Sequence, residues 1–151
     1  MIYFSKGDNI MDKFMKIANE NAKKGIENKE GNIIANGNNK VLKNNDPTAH
    51  TEIVAIREAC KKLGTYNLSN YILYTSCEPC PMCLSAIIWA NIKTVYYGCT
   101  KEDAEDIGFR DDTIYKFLEG KNKNLIRLEN IDRKVCLEIF EKYKKENGVI
   151  Y

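Results

Sequence analysis

TSCEPCPMCLSA, residues 75–86, sits where a strand-like apolar run gives way to a helix-like one, with a C-x-x-C pair at the join. Upstream, Tyr71–Thr75 is a continuous apolar run of strand length, which predicts a strand buried on both faces. Downstream, Pro81 suits the first turn of a helix, where its missing N–H costs nothing. The spacing of Leu84, Ile87 and Ile88 predicts the inward face of that helix. A strand, a loop bearing reactive side chains and a helix form the repeating unit of a layered α/β fold.

The same alternation extends in both directions. Ile10, Phe14, Ile17 and Ala18 predict an amphipathic helix over 10–24, ended by Gly25. Asn32–Asn36 reads as a short strand followed by Gly37, and 38–49 as a polar loop. Ile53, Ile56, Cys60 and Leu63 predict a helix over 51–63 with Gly64 as its C-terminal cap. Thr94–Gly98 and Leu125–Leu128 read as strands, and 101–118 as mixed loop and short helix. Val135, Ile139, Phe140 and Tyr143 mark a C-terminal amphipathic helix.

At 151 residues the chain suits a single domain over 1–151. Met11 offers a second start, so residues 1–10 read as an N-terminal extension with little role. The 23 basic and 21 acidic residues leave a net charge of +2, which argues against a dedicated nucleic-acid surface. There is no signal-peptide pattern and no apolar window of membrane-spanning length. These features predict a cytoplasmic protein whose thiols stay reduced, so its six cysteines are not read as disulfides. Cys60, Cys99 and Cys136 fall in apolar periodic segments and read as buried small hydrophobes, and Cys77 reads as structural.

The single histidine, His50, lies in NDPTAHTE at the start of one predicted helix, while Cys80 and Cys83 open another. In α/β folds helix starts gather at the carboxyl ends of strands, where sites are built. An imidazole and two thiolates give three zinc ligands, and three protein ligands with one open position is the catalytic arrangement. A helix start favours thiolate over thiol. A zinc ion so held lowers the pKa of a bound water enough to give hydroxide near neutral pH. Glu52, two residues beyond His50, is placed near the metal without having to bind it, as a general acid/base requires. C-x-x-C alone is shared by zinc ribbons and redox proteins. H-x-E followed by P-C-x-x-C is the signature of zinc nucleobase deaminases.

NDPTAHTE, IREAC, LYTSCEPCPMC and GFRDD together resemble bacterial guanine deaminases of the cytidine-deaminase-like superfamily, from about residue 31 to 118 plus the first helix. The resemblance implies a three-layer α/β/α fold with a central mixed sheet, one zinc per chain and a homodimer. It makes His50, Cys80 and Cys83 the zinc ligands and Glu52 the proton shuttle. Asn39, in GNNKV, matches a purine-binding asparagine, and Asp111, in GFRDD, matches an acidic residue that reads the base edge. Each has a plain alternative: Asn39 as a turn residue and Asp111 as a helix cap. Thr51 stands where the family usually has alanine, and a backbone contact to substrate there survives the change.

A second departure is larger. The family follows its first helix with a β-hairpin whose first strand lies inside the sheet and supplies a pocket aromatic. Here only Gly25–Glu30 (GIENKE) separates the helix from Asn32, with no candidate for that strand. Either the remaining strand shifts over, or another chain fills the gap, or the protein is a compromised relative. The expected activity is zinc-dependent hydrolytic deamination of guanine to xanthine and ammonia, in purine catabolism or salvage. Trp89, Phe109 and Tyr115 are candidates to stack on the base, and Tyr151 to cover a pocket. The alternatives are a tRNA adenosine deaminase, or a non-catalytic zinc-binding relative whose pocket is lost with the missing strand.

Overall fold

The computed structural model describes residues 2–5 and 33–150. The expected helix over 10–24 and the gap at 25–31 lie outside the described residues, as does Tyr151. Contacts divide the chain, expected as one domain, into two compact units, Met1–Lys116 and Phe117–Tyr151.

Among the described residues, four strands form the sheet of the first unit: β1 (Ile2–Ser5), β2 (Asn36–Gly37), β3 (Ile72–Cys77) and β4 (Thr94–Cys99). Their order is β2-β1-β3-β4, so the sheet is mixed. β1 runs antiparallel to both neighbours, pairing Tyr3 with Asn36 on one side and with Tyr74 on the other. β3 and β4 are parallel, with Leu73 opposite Val95. The interior strand that the sequence seemed to lack is thus supplied by residues 2–5 of this chain. The reading of residues 1–10 as an extension of little role is corrected accordingly. It failed because a strand's partners are not written in its own sequence.

Among the described residues, five helices follow or flank these strands: α1 (Val41–Asn44), α2 (Thr51–Leu63), α3 (Pro81–Trp89), α4 (Lys101–Asp106) and α5 (Asp111–Leu118). α2 has the expected limits. Gly64 closes it in a left-handed conformation, φ 65°, with its N–H on the Cys60 carbonyl. α3 crosses over between β3 and β4, as a parallel pair requires. Ala55 and Ala59 of α2, Leu73 of β3 and Ile87 of α3 meet in one apolar cluster with Ala35, Leu68, Ala90 and Ile92. Burying residues such as Leu68, Leu73 and Ile87 contributes about 1.5–3 kcal/mol each. The small side chains of α2 let its backbone approach β2. A Cβ on Gly37 would lie 2.3 Å from the Thr51 carbonyl oxygen.

Several expectations are corrected. Of the strand read over 32–36, residue 32 lies outside the described residues, 33–35 are not in a strand and Asn36–Gly37 form β2, while the loop 38–49 contains the single turn α1. Of the three apolar residues expected inside α3, Ile87 is buried while Leu84 and Ile88 are exposed. Both sides of α3 are apolar, so periodicity could not choose between them. All six cysteines are free. Cys60 is only half-buried and Cys99 is exposed, whereas Leu73, Tyr74 and Thr75 of β3 are buried in succession, as expected.

The second unit carries α6 (Arg133–Lys145), where the C-terminal helix was expected. Val135, Ile139, Phe140 and Cys136 on it are exposed. Leu125–Leu128, read as a strand, is irregular backbone that follows a turn closed by the Leu125 N–H on the Asn122 carbonyl. The Tyr143 hydroxyl donates to the Val149 carbonyl, tying the tail to the helix.

Candidate metal and catalytic site

The turn before α2 sets His50 in place. The Asp46 carboxylate accepts from the Thr48 N–H at 2.8 Å and from its hydroxyl at 2.6 Å. The Asp46 carbonyl takes the Ala49 N–H at 3.0 Å. These bonds, first the Thr48 hydroxyl, hold the Asp46 carboxyl below its usual pKa, and Arg57 at 3.6 Å adds to the effect. His50 then forms the N-cap of α2 with extended backbone, φ −63° and ψ 159°. Cys80 is the N-cap of α3 with nearly the same backbone, φ −61° and ψ 165°. Neither side chain caps its own helix, so both remain available for another partner. The loop from β3 into α3 is held by the Glu78 N–H on the Cys99 carbonyl at 2.8 Å. The Glu78 carboxylate accepts the Lys101 N–H at 3.1 Å, tying the same loop to the start of α4.

The two helix starts bring His50, Cys80 and Cys83 together, with their ligand atoms all within 4.8 Å of one another. The Cys80 sulfur lies 3.6 Å from His50 Nδ1. The hydrogen bond from Cys83 pushes the Cys80 thiol down to about 6, with the charge of His50 helping and burial opposing. The Cys83 thiol is pushed up, first by that same bond, then by burial and the nearby Glu52 carboxylate. One imidazole and two sulfurs, tightly grouped and mostly buried, fit zinc, whose ligands are nitrogen and thiolate at short range.

Glu52 stands in the first turn of α2 and is buried, 8% exposed. Its Oε2 accepts from the Cys83 thiol at 3.2 Å, and its Oε1 accepts from the Thr75 hydroxyl at 3.3 Å. It stays outside the ligand group while touching it. Thr51 is half-buried, and its backbone carbonyl faces Gly37 at close range. Asp111 opens α5. Burial, first, raises the pKa of Cys77 and Tyr115, and the Asp111 charge adds to it; at Cys80 that charge opposes the net lowering. Asn39 is exposed, and its side-chain oxygen accepts the Val41 N–H at 3.0 Å, which is the turn role. The Lys40 N–H on the Ala49 carbonyl keeps it next to the His50 loop. Tyr115 is half-buried beneath the Lys101 ammonium, while Trp89 and Phe109 are largely exposed. Sequence reasoning missed Thr75 and Gly37. A hydroxyl in the middle of the apolar run ILYTSC was the available signal for Thr75. Nothing local marked Gly37.

With that geometry in hand, comparison with known proteins places the chain. The cytidine and deoxycytidylate deaminase zinc-binding region matches residues 9–99, and the chain belongs to that family. Guanine deaminase of Bacillus subtilis strain 168 is 58% identical over 91 residues, which are 60% of this chain and 58% of that protein's length. A tRNA-specific adenosine deaminase of Buchnera aphidicola is 36% identical over 114 residues, covering 75% of this chain and 73% of the relative. Among solved structures, guanine deaminase from Bacillus subtilis superposes with a TM-score of 0.79 at 42% identity, over 91% of this chain and 95% of that one. Guanine deaminase from Nitrosomonas europaea superposes with a TM-score of 0.55 at 32% identity, over 67% of this chain and 63% of that one. The fold is thus the cytidine-deaminase-like α/β fold expected from the sequence.

Proposed function

We propose that this chain hydrolyses guanine to xanthine and ammonia, holding one zinc ion through His50, Cys80 and Cys83. The observation that carries the reading is a buried carboxylate, Glu52, touching a three-ligand group without joining it. The similarity to the Bacillus guanine deaminase supports guanine as substrate. Zinc, when bound, acidifies a water molecule in its fourth position. Glu52 accepts the proton released by the attacking water and hands it to a ring nitrogen of the purine. Oxygen bonds to C2, Glu52 takes the proton of the new C2 hydroxyl and passes it to the exocyclic amine, and the bond from C2 to that amine breaks as the C2 carbonyl forms. Water is consumed, ammonia leaves and no redox change occurs.

Asp111 is the group proposed to read the base edge, because its charge reaches the sulfur cluster. Thr51 is proposed to contact substrate through its backbone. Asn39 is proposed to contact the purine through its amide nitrogen, since its oxygen is already engaged. Tyr115 is favoured over Trp89 and Phe109 as a stacking partner, being half-buried beside Asp111. The protein is read as a cytoplasmic homodimer acting in purine metabolism. The apolar side chains that α3 leaves exposed, Leu84, Ile88 and Trp89, support the dimer. No helix among the described residues is long and apolar enough to cross a membrane.

A second reading, tRNA adenosine deamination, is supported by the Buchnera relative. A net charge of +2 weighs against it, because RNA affinity rests on phosphate contacts. The deciding experiment measures ammonia release from guanine, adenine, cytosine, cytidine, guanosine and a tRNA anticodon stem-loop, with zinc content determined on the same sample. Rapid release from free guanine alone, at one zinc per chain, is the expected result. Deamination of the stem-loop alone would overturn the guanine reading. One zinc without turnover on any substrate would make the chain a non-catalytic relative.

A further inference from the structure

Glu52 and Thr75 are the buried polar side chains of the described residues, at 8% and 2% exposure, and each is the other's partner. Thr75 lies in β3, ahead of the loop that carries Cys80, and shares its strand face with Leu73, since alternate residues of a strand face the same way. Leu73 packs in the cluster that contains Ala55 and Ala59, so this face looks toward α2. The branched side chain of threonine is stiff at χ1, which aims the hydroxyl rather than letting it swing. It donates to Glu52 Oε1 at 3.3 Å, while Oε2 faces the Cys83 sulfur at 3.2 Å.

From this arrangement we infer that Thr75 is the positioning residue for Glu52. Its hydroxyl pins one carboxylate oxygen so that the other stays turned toward the ligand cluster. The inference rests on the reading of Glu52 as the proton shuttle. With a metal bound, Cys83 would be one of its ligands, and Thr75 would remain as the donor that orients the carboxylate. Partners of this kind, one step removed from the metal, set both the direction and the basicity of the groups they hold.

The test pairs Thr75→Val, which keeps the shape and removes the hydroxyl, with Thr75→Ser, which keeps the hydroxyl. A hydrogen bond to a charged group is worth enough that kcat of Thr75→Val should fall about tenfold or more. KM and zinc content should stay within about twofold, and Thr75→Ser should recover most of the rate. A second measurement needs neither metal nor turnover. The infrared carboxylate band of Glu52, isolated in the metal-free protein by difference against Glu52→Gln, should shift in Thr75→Val and not in Thr75→Ser. The role is overturned if the band does not move in Thr75→Val. It is equally overturned if kcat holds, if the loss lies in KM or in zinc content, or if Thr75→Ser is as impaired as Thr75→Val. Should the unaltered protein release no ammonia from guanine, the substrate reading fails, while the infrared band still decides whether Thr75 holds Glu52.

Discussion

β3 and β4 lie side by side, joined through α3 within a single stretch of chain, and the zinc-type cluster forms where that stretch meets the start of α2. β2 and β3 belong to the same sheet but do not touch each other: β1, from residues 2–5, stands between them and pairs with both. One side of the sheet is assembled from neighbours in sequence and the other from a distant segment. The proposed chemistry is concentrated on the locally built side. The wall near Asn39 and Thr51, where substrate is proposed to bind, depends on the remotely built one.

The sharpest test of the locally built side is Glu52→Gln. Turnover on guanine should fall at least ~10²-fold, with zinc retained by metal analysis, because the amide keeps the shape but cannot move protons. A variant that kept its rate would remove the chemistry from this half of the molecule. The remotely built side is probed next by Gly37→Ala. Its added methyl would meet the Thr51 carbonyl at 2.3 Å and the Ala55 N–H at 3.0 Å, neither of which can yield. Urea unfolding should show a loss of about 2–3 kcal/mol.

Tyr3→Pro removes an N–H from a strand paired on both edges and should cost about 2 kcal/mol. Faster amide exchange at Asn36, Gly37 and Tyr74 would trace the loss to β1. Unaltered exchange would show that β2 and β3 do not depend on it. The smallest effect is expected at Gly64→Ala, about 1 kcal/mol by thermal melting, because there only the left-handed backbone resists and no atom lies within 4 Å of the new Cβ. Were Gly64→Ala the more damaging of the two glycine changes, packing of β2 against α2 would not be the constraint described here.

What could be read directly from the sequence follows the same division. The helix starts at Thr51 and Pro81, the Gly64 cap and the buried run of β3 are fixed by residues within a few positions of one another. All were legible, and with them the grouping of His50, Cys80 and Cys83. Residues 2–5 carry no mark of their partners, so β1 went unseen and the sheet seemed to lack a strand. Periodicity gives a helix but not its covered side when both faces are apolar, which is why Leu84 and Ile88 were misjudged. Leu125–Leu128 has strand-like composition, but composition alone supplies no neighbour to pair with. Thr75 was passed over because a single hydroxyl in an apolar run becomes informative only once Glu52 is seen across from it.

The position of β1 also sets an order of events. Residues 2–5 are made well before Leu73 and Tyr74, which must emerge before the pairing of β1 with β3 can form. Until then the edge of β1 that meets β3 is open, and loop closure over that distance is slow. Any delay in synthesis between the two leaves an unpaired edge exposed to the neighbours that a crowded cell provides.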